Sequence, residues 1–568
     1  MRYVCIFLFM SAALCASALD VHRRIQCHLL IGDVTSAIEE CRAGLVLYPN
    51  DKPLQRLLVQ SLAKRGFEKD ALKAWHVVAG QLKGEEKRAV LETLAWGVLS
   101  RAGNSNQFVV QYSSLMGARL ARDALAVEVI KNGLKSDSTL LRALSVKLAC
   151  EFRDAPLMDQ IAYMFENERH FYVRLEVLRA IGALGLTELT EPLKQIVASE
   201  RTMAEEKACA IESLVNLYES VSDSELEGFI GANRAGLRAI APQIIVHLDL
   251  QNQLPRLLPL LKDSSSMVRI LTLRAFSYLQ GSKAPYRAHL LPLMDDEDPM
   301  VAIVAAWVGL TMDPVSAEAH LARLCNHESE EVRRIAVGAL AAGGESGKNL
   351  CLHLAKSHSD PFVKVNAALG LILKQFHVSR GCKTLQRFIA QHAGKIMWDQ
   401  AGLFRIIAPS QVRHIPQIPS YPDHVDQLTR LEVLSILAAF DYKKAKSSIE
   451  SFLQKGEWGV THAACAALLG EGATDALDIV KGLLDSKDPK VRVQAALVLA
   501  FMGREKSAAT VLEDAYSNVP RECKLTILEA LGAIGSEESL PFLVRTLDEP
   551  FQITRVVAAS SIIQCLYH

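Results

Sequence analysis

The chain has 568 residues, half of them apolar, and its 63 basic residues are balanced by 63 acidic ones. A net charge of zero argues against nucleic-acid binding, which needs a concentrated positive face, and no Lys/Arg-rich block or acidic tail appears locally. The twelve cysteines are scattered with no C-x-x-C spacing, which excludes the familiar zinc frameworks.

Residues 1–18 read as a secretory signal. Arg2 is a minimal basic start, Val4 to Leu14 is an apolar run, and Ala16-Ser17-Ala18 offers a small-x-small cleavage site. The run is too short to cross a bilayer, and no later stretch is long and uncharged enough to do so. The chain is therefore expected to be exported, to a periplasm, without an integral membrane span. Secretion is one alternative. Lipidation at Cys15 is another, although Leu14 stands where a small residue would be needed.

Residues 19–116 follow as helical hairpins. Gly32, Ala37, Gly44 and Pro49 punctuate the first, and Gly66 and Ala71 repeat two of these marks 34 residues later. The spacing resembles the tetratricopeptide repeat, a family whose grooves often bind peptides, and Glu85 to Met116 would be a third, degenerate copy. A plain capping role at the end of a longer stack is the competing reading. Cys27 and Cys41 would lie on the two helices of the first hairpin, where they could pair.

From residue 117 to 568 one unit is copied end to end. A Val-Arg pair or a variant of it recurs fourteen times from Leu141-Arg142 to Thr554-Arg555, at intervals of 31 to 33 residues. Residues 475–503 show the pattern. An amphipathic first helix is followed by Asp488-Pro489, an N-cap and a first-turn proline. A second helix rich in Val and Ala then stops at Gly503. Asp298-Pro299 and Asp360-Pro361 repeat the device. No segment alternates with period two, so no strand is expected. The fold class is all-α: an α-solenoid, a right-handed superhelix of αα-hairpins, each covering its neighbour's apolar face.

The Asp-Pro turn, the Val-Arg pair and the Ala-rich second helix, as in KDPKVRVQAALVLAFMG and SDPFVKVNAALGLIL, resemble the HEAT-repeat family in its short, lyase-like form. The resemblance implies that the basic residue of each pair joins a turn Asp in a ladder between neighbouring units. Ladder members would be Arg142, Arg174, Arg238, Arg269, Arg333, Lys364, Arg430, Arg492 and Arg555, with breaks at Ala302, Met397 and Thr461.

The repeat is interrupted at Pro409 to Pro422, PSQVRHIPQIPSYP. Pro416, Pro419 and Pro422 forbid a regular first helix there, because each interior proline costs about 3 kcal/mol. An extended strip is expected in its place. Trp398, Phe404, His414, Pro416, Pro419, Tyr421 and His424 gather around this gap and are the candidate partner-binding residues. The bland alternative is a degenerate repeat whose loop packs over the gap. At the far end, Val556, Val557, Ile562, Ile563 and Leu566 have no following unit to cover them, so self-association or a docked partner is expected there.

No catalytic motif stands out, and neither cofactor nor metal is expected. His327-Glu328 is a lone pair, better read as a turn than as an iron ligand set. The expected function is a non-enzymatic scaffold for a protein or peptide partner. The alternative is a HEAT-like lyase, or a cofactor-handling enzyme or its chaperone.

Overall fold

The computed structural model describes residues 18–121, 124–391, 396–401, 403–411, 480–503 and 505–567, with isolated positions between 426 and 440. The expected signal apart from Ala18, the Pro-rich strip from residue 412 to 422, and the repeat around Thr461 lie outside the described residues.

Helix pairs make up most of the described residues. In chain order they include α1 (Ala18–Leu30), α2 (Val34–Leu47), α3 (Lys52–Arg65), α4 (Glu68–Val78), α5 (Gly84–Gly103) and α6 (Phe108–Ala121). Further on come α7 (Pro299–Gly309), α8 (Glu330–Ala342), α9 (Lys348–Ser357), α10 (Pro361–Leu373) and α11 (Val378–Gln391). The last pairs include α12 (Arg521–Ile534) and α13 (Gln552–Tyr567). No helix among the described residues is long and apolar enough to cross a membrane.

The second helices start as the sequence dictates. Asp298 accepts from the Met300 N–H at 2.8 Å, Asp360 from Phe362 at 2.8 Å, and Asp488 from Lys490 at 2.9 Å, each ahead of a first-turn proline. These helices are buried on most sides: Val363, Val365, Ala367, Ala368 and Leu371 of α10 are all wholly enclosed. Some outer elements depart from the α form. Gln251–Lys262 is a long 3-10 helix, where Pro255 and Pro259 remove the amides an α-helix needs.

The chain divides into two compact units. One comprises Met1–Val173 with Lys481–His568, the other Arg174–Val480.

In the first unit, α1–α2 and α3–α4 form hairpins whose loops turn at Gly32 and Gly66, with φ of 80° and 81°. Gly44 lets α2 approach Val21 and Leu54, since a Cβ there would meet a Val21 methyl at 2.9 Å. Ile25, Ala37, Cys41 and Leu54 form the local core. Cys27 and Cys41 are not joined. Cys27 faces solvent, and Cys41 is buried with both thiols free.

The same unit corrects the expectation for the far end. Val556, Val557, Ile562, Ile563 and Leu566 of α13 are all buried, because α13 packs on α12 and also on α5 and α6 from the front of the chain. Gly117 of α6 makes the approach close: a Cβ there would lie 2.1 Å from Ser560 Oγ. Arg88 donates to the Leu566 carbonyl, and Tyr567 to Glu92. The apolar flank that lacked a following unit is covered by the chain's own beginning.

The second unit holds an element the helical period did not predict. Ile396–Ala401 (β1) and Phe404–Pro409 (β2) form an antiparallel hairpin, paired from Ala401↔Phe404 to Ile396↔Pro409. Met397, counted as a ladder position at the start of a second helix, is a strand residue.

Candidate functional site

The hairpin lies on the second helices of three successive repeats, α7, α8 and α10. Trp307 of α7 meets Phe404 edge to face, with centroids 5.4 Å apart. Gly338 of α8 forms the seat beneath it: a Cβ at that position would lie 2.5 Å from an Ile406 methyl and 3.2 Å from the Phe404 Cβ. Phe404, Ile406 and Ile407 are buried, while Arg405 between them is exposed. Its guanidinium stacks on Trp398 of β1, 4.3 Å from the ring centroid, and pairs with Glu432.

Asn366 of α10 clamps the strand by its backbone. Its Nδ2 donates to the Ile407 carbonyl at 2.9 Å, and its Oδ1 accepts from the Ile407 N–H at 2.8 Å. A second donation to the Phe362 carbonyl at 2.9 Å fixes the amide's orientation. Asn366 is only 2% exposed, so these bonds also satisfy a buried polar group that would otherwise destabilise the unit. A carboxamide that pairs with one residue's N–H and C=O recognises extended backbone whatever its side chain.

Of the seven candidate residues, the structure places Trp398 and Phe404 in this hairpin. His414, Pro416, Pro419, Tyr421 and His424 lie outside the described residues. Asn366 and Gly338 were missed by sequence reasoning. The available signal was a lone amide in the otherwise apolar run Val365 to Leu373, and a glycine in the middle of the Ala-rich helix α8.

The ladder stabilises the stack that carries this face. Arg142 reaches Glu168 at 2.7 Å, Arg174 reaches Glu206 at 2.8 Å, and Arg269 reaches Asp296 at 2.7 Å. Arg238 meets Asp263 at 2.8 Å, and Arg333 meets Asp360 at 3.3 Å. Most of these arginines also donate to carbonyls five or six residues back, which closes their own turn, as Arg238 does to Ala232 and Asn233. The acceptors are glutamates as well as turn aspartates. Hydrogen bonding by Arg238 holds the Asp263 carboxyl below its ordinary range. At Glu168 burial pushes upward, but the Arg142 hydrogen bond and the His170 and Arg169 amides outweigh it, and the net direction is down.

Three positions depart from the expected pairing. Arg430 pairs with Asp426 of its own turn, at 2.9 Å, and with the Ile389 carbonyl at 2.7 Å. Lys364 and Arg492 have no carboxylate partner among the described residues. Arg492 keeps only the carbonyl half of the pattern, through Ser486 at 2.8 Å. Arg555 of the last unit finds its carboxylate at the front of the chain: Glu68, first residue of α4, at 2.9 Å.

Among the described residues no group of three or more His, Cys, Asp or Glu side chains is placed to hold a metal ion. His327 and Glu328 form the turn before α8, where both carbonyls accept from Arg333 at 2.8 Å.

A family model for HEAT repeats matches residues 449–527 and 476–563. No curated protein sequence matches the chain. Among solved structures, the chain is similar to the complex of CpcE and CpcF of phycocyanin lyase from Nostoc sp. The identity is 16%, 46% of this chain and 92% of that one are covered, and the TM-score is 0.26. It is also similar to Kap121p, at 10% identity over 95% of this chain and 76% of that one, TM-score 0.35. A third likeness is to the UNC-45 chaperone, at 14% identity over 99% and 83%, TM-score 0.32. At such scores none of the three says what this chain binds. The family model thus identifies HEAT repeats in residues 449–563, and the stacked helix pairs give the chain the fold of an α-solenoid.

Proposed function

We propose that the chain is a non-catalytic scaffold that holds a segment of a partner protein, in extended form, against the second helices of its repeats. One observation carries this reading: that face already seats an extended segment of its own chain. The seat combines a backbone clamp at Asn366, a side-chain floor at Gly338 and an aromatic wall at Trp307. Backbone-directed bonds provide hold, and pockets for alternate side chains provide selectivity. The scaffold would act after export, as the composition of residues 1–18 suggests.

Photo-crosslinking tests the scaffold. A crosslinking residue at exposed Glu331, on a second helix, should yield protein adducts in the cell of origin. The same residue at exposed Ala319, on a first helix, should yield few. Equal yields at the two positions, or none at Glu331, would reject the reading. For export, the mass of the mature chain should correspond to a start at Leu19. A cytoplasmic chain retaining Met1 would reject that part alone.

A further inference from the structure

Several exposed arginines are neutralised by a carboxylate of another repeat. Arg56 pairs with Glu86, Arg119 with Glu151, Arg256 with Asp223 and Glu227, and Arg287 with Asp313, each bridging one repeat to another. A groove of about 660 Å³ between α9 and α11 is lined by Lys356, His377, Arg380, Lys383, Thr384 and Arg387 among others, with no carboxylate in its wall among the described residues. All four lysines and arginines are exposed, and none has an ion-pair partner among the described residues.

The arrangement is ordered. Arg380, Lys383 and Arg387 follow one another at i, i+3 and i+7, so they share a face of α11 over about 10 Å. Lys356, near the C-terminal end of α9, stands across the groove. Like charges at these spacings destabilise a helix, and the first turn of α11 has no acidic residue to offset them. In a chain with zero net charge, four unbalanced cations around one concavity are an arrangement that an external anion would complete.

We propose that this groove binds an acidic peptide segment of the partner protein, one carrying three or four carboxylates within about 10 Å. The inference rests on the scaffold reading and gives it a second, charge-selective contact beside the backbone clamp. A peptide fits better than a duplex nucleic acid, because the stripe is only two helical turns long.

Fluorescence anisotropy with a labelled twelve-residue Glu/Ser peptide tests it on the full chain. Binding is expected at low salt, weakening as ionic strength rises. Arg380→Glu with Lys383→Glu should reduce affinity tenfold or more, whereas the same charge change at exposed Lys69 and Lys73 should reduce it less than threefold. The triple change Arg380→Gln, Lys383→Gln, Arg387→Gln removes like-charge repulsion, so it should fold at least as well and still lose the peptide. Three results would overturn the proposal: no binding by the unaltered chain, equal loss at the control site, or tighter binding of a single-stranded oligonucleotide of matched charge through these same residues. Each leaves the Glu331 crosslinking result untouched, so the two readings fail separately.

Discussion

The contact between Glu68 and Arg555 offers a measurable test of how the last repeat is held. Their side chains are 9% and 19% exposed, and the N–O distance is 2.9 Å. A fully exposed pair is worth less than about 1 kcal/mol. Breaking a fully buried one costs about 3–5 kcal/mol. This pair lies between, and Arg555 keeps the Glu549 and Pro550 carbonyls when Glu68 is altered. Glu68→Gln should therefore lower the free energy of local opening of α13 by about 2 kcal/mol, of which about 0.3–1 belongs to the lost charge at the start of α4. Arg555→Gln should cost a similar amount. A double-mutant cycle cancels the helix-start contribution and should leave a coupling of about 1–2 kcal/mol. Hydrogen exchange of the α13 amides measures each value directly. Additive single effects, or unchanged protection in both variants, would refute the argument that Glu68 stands in for the next repeat's carboxylate.

Four further outcomes follow. Gly338→Leu should expel the hairpin from α8 at about 1–3 kcal/mol, seen as faster exchange of Phe404 to Ala408; unchanged exchange would mean Gly338 is not the seat. Asp360→Ala removes a helix cap and the acceptor of Arg333, and should cost about 3 kcal/mol in denaturation; exposed Asp488→Ala, a cap alone, should cost about 1, and equal losses would contradict the ladder's contribution. Because the folded pKa of Asp263 is depressed by Arg238, its stabilisation is present above the ordinary carboxylate pKa and lost as pH falls through the folded value. Asp263→Asn should then flatten the acid limb of the stability profile, and an unchanged limb would refute it. Cys27 should react with iodoacetamide under native conditions, whereas buried Cys41, its thiol pushed to about 12 chiefly by burial, should not; rapid alkylation of Cys41 would contradict the packing of α2 against α1 and α3.

The stack was legible because its period is carried by residues that act locally. Asp488-Pro489 caps its helix whatever surrounds it, and Arg238 closes on carbonyls five and six residues behind. Partners farther away were only half legible. The family pattern implied turn aspartates, but Glu168, Glu206 and Glu68 serve equally, since a longer side chain reaches the same guanidinium from another backbone position. The hairpin escaped because a period counts residues without stating their conformation. Ile396-Met397 arrives on schedule for a helix start, yet Trp398, Phe404, Ile406 and Ile407 are aromatic and β-branched residues that suit a strand. Asn366 stabilises that strand from 41 positions away. The cover over α13 was illegible for a related reason: Glu68 and Arg555 are 487 residues apart, and nothing local in either segment announces the other.

The most direct test of the account is a distance between the two ends of the chain. Spin labels at Glu92 of α5 and Tyr567 of α13, with Cys27 replaced by serine, report it in solution. Packed helices require a separation within about 20 Å, two helix diameters. A distribution centred several helix diameters beyond that would mean the last repeat does not rest on the first helices, and the ladder's final rung would not exist.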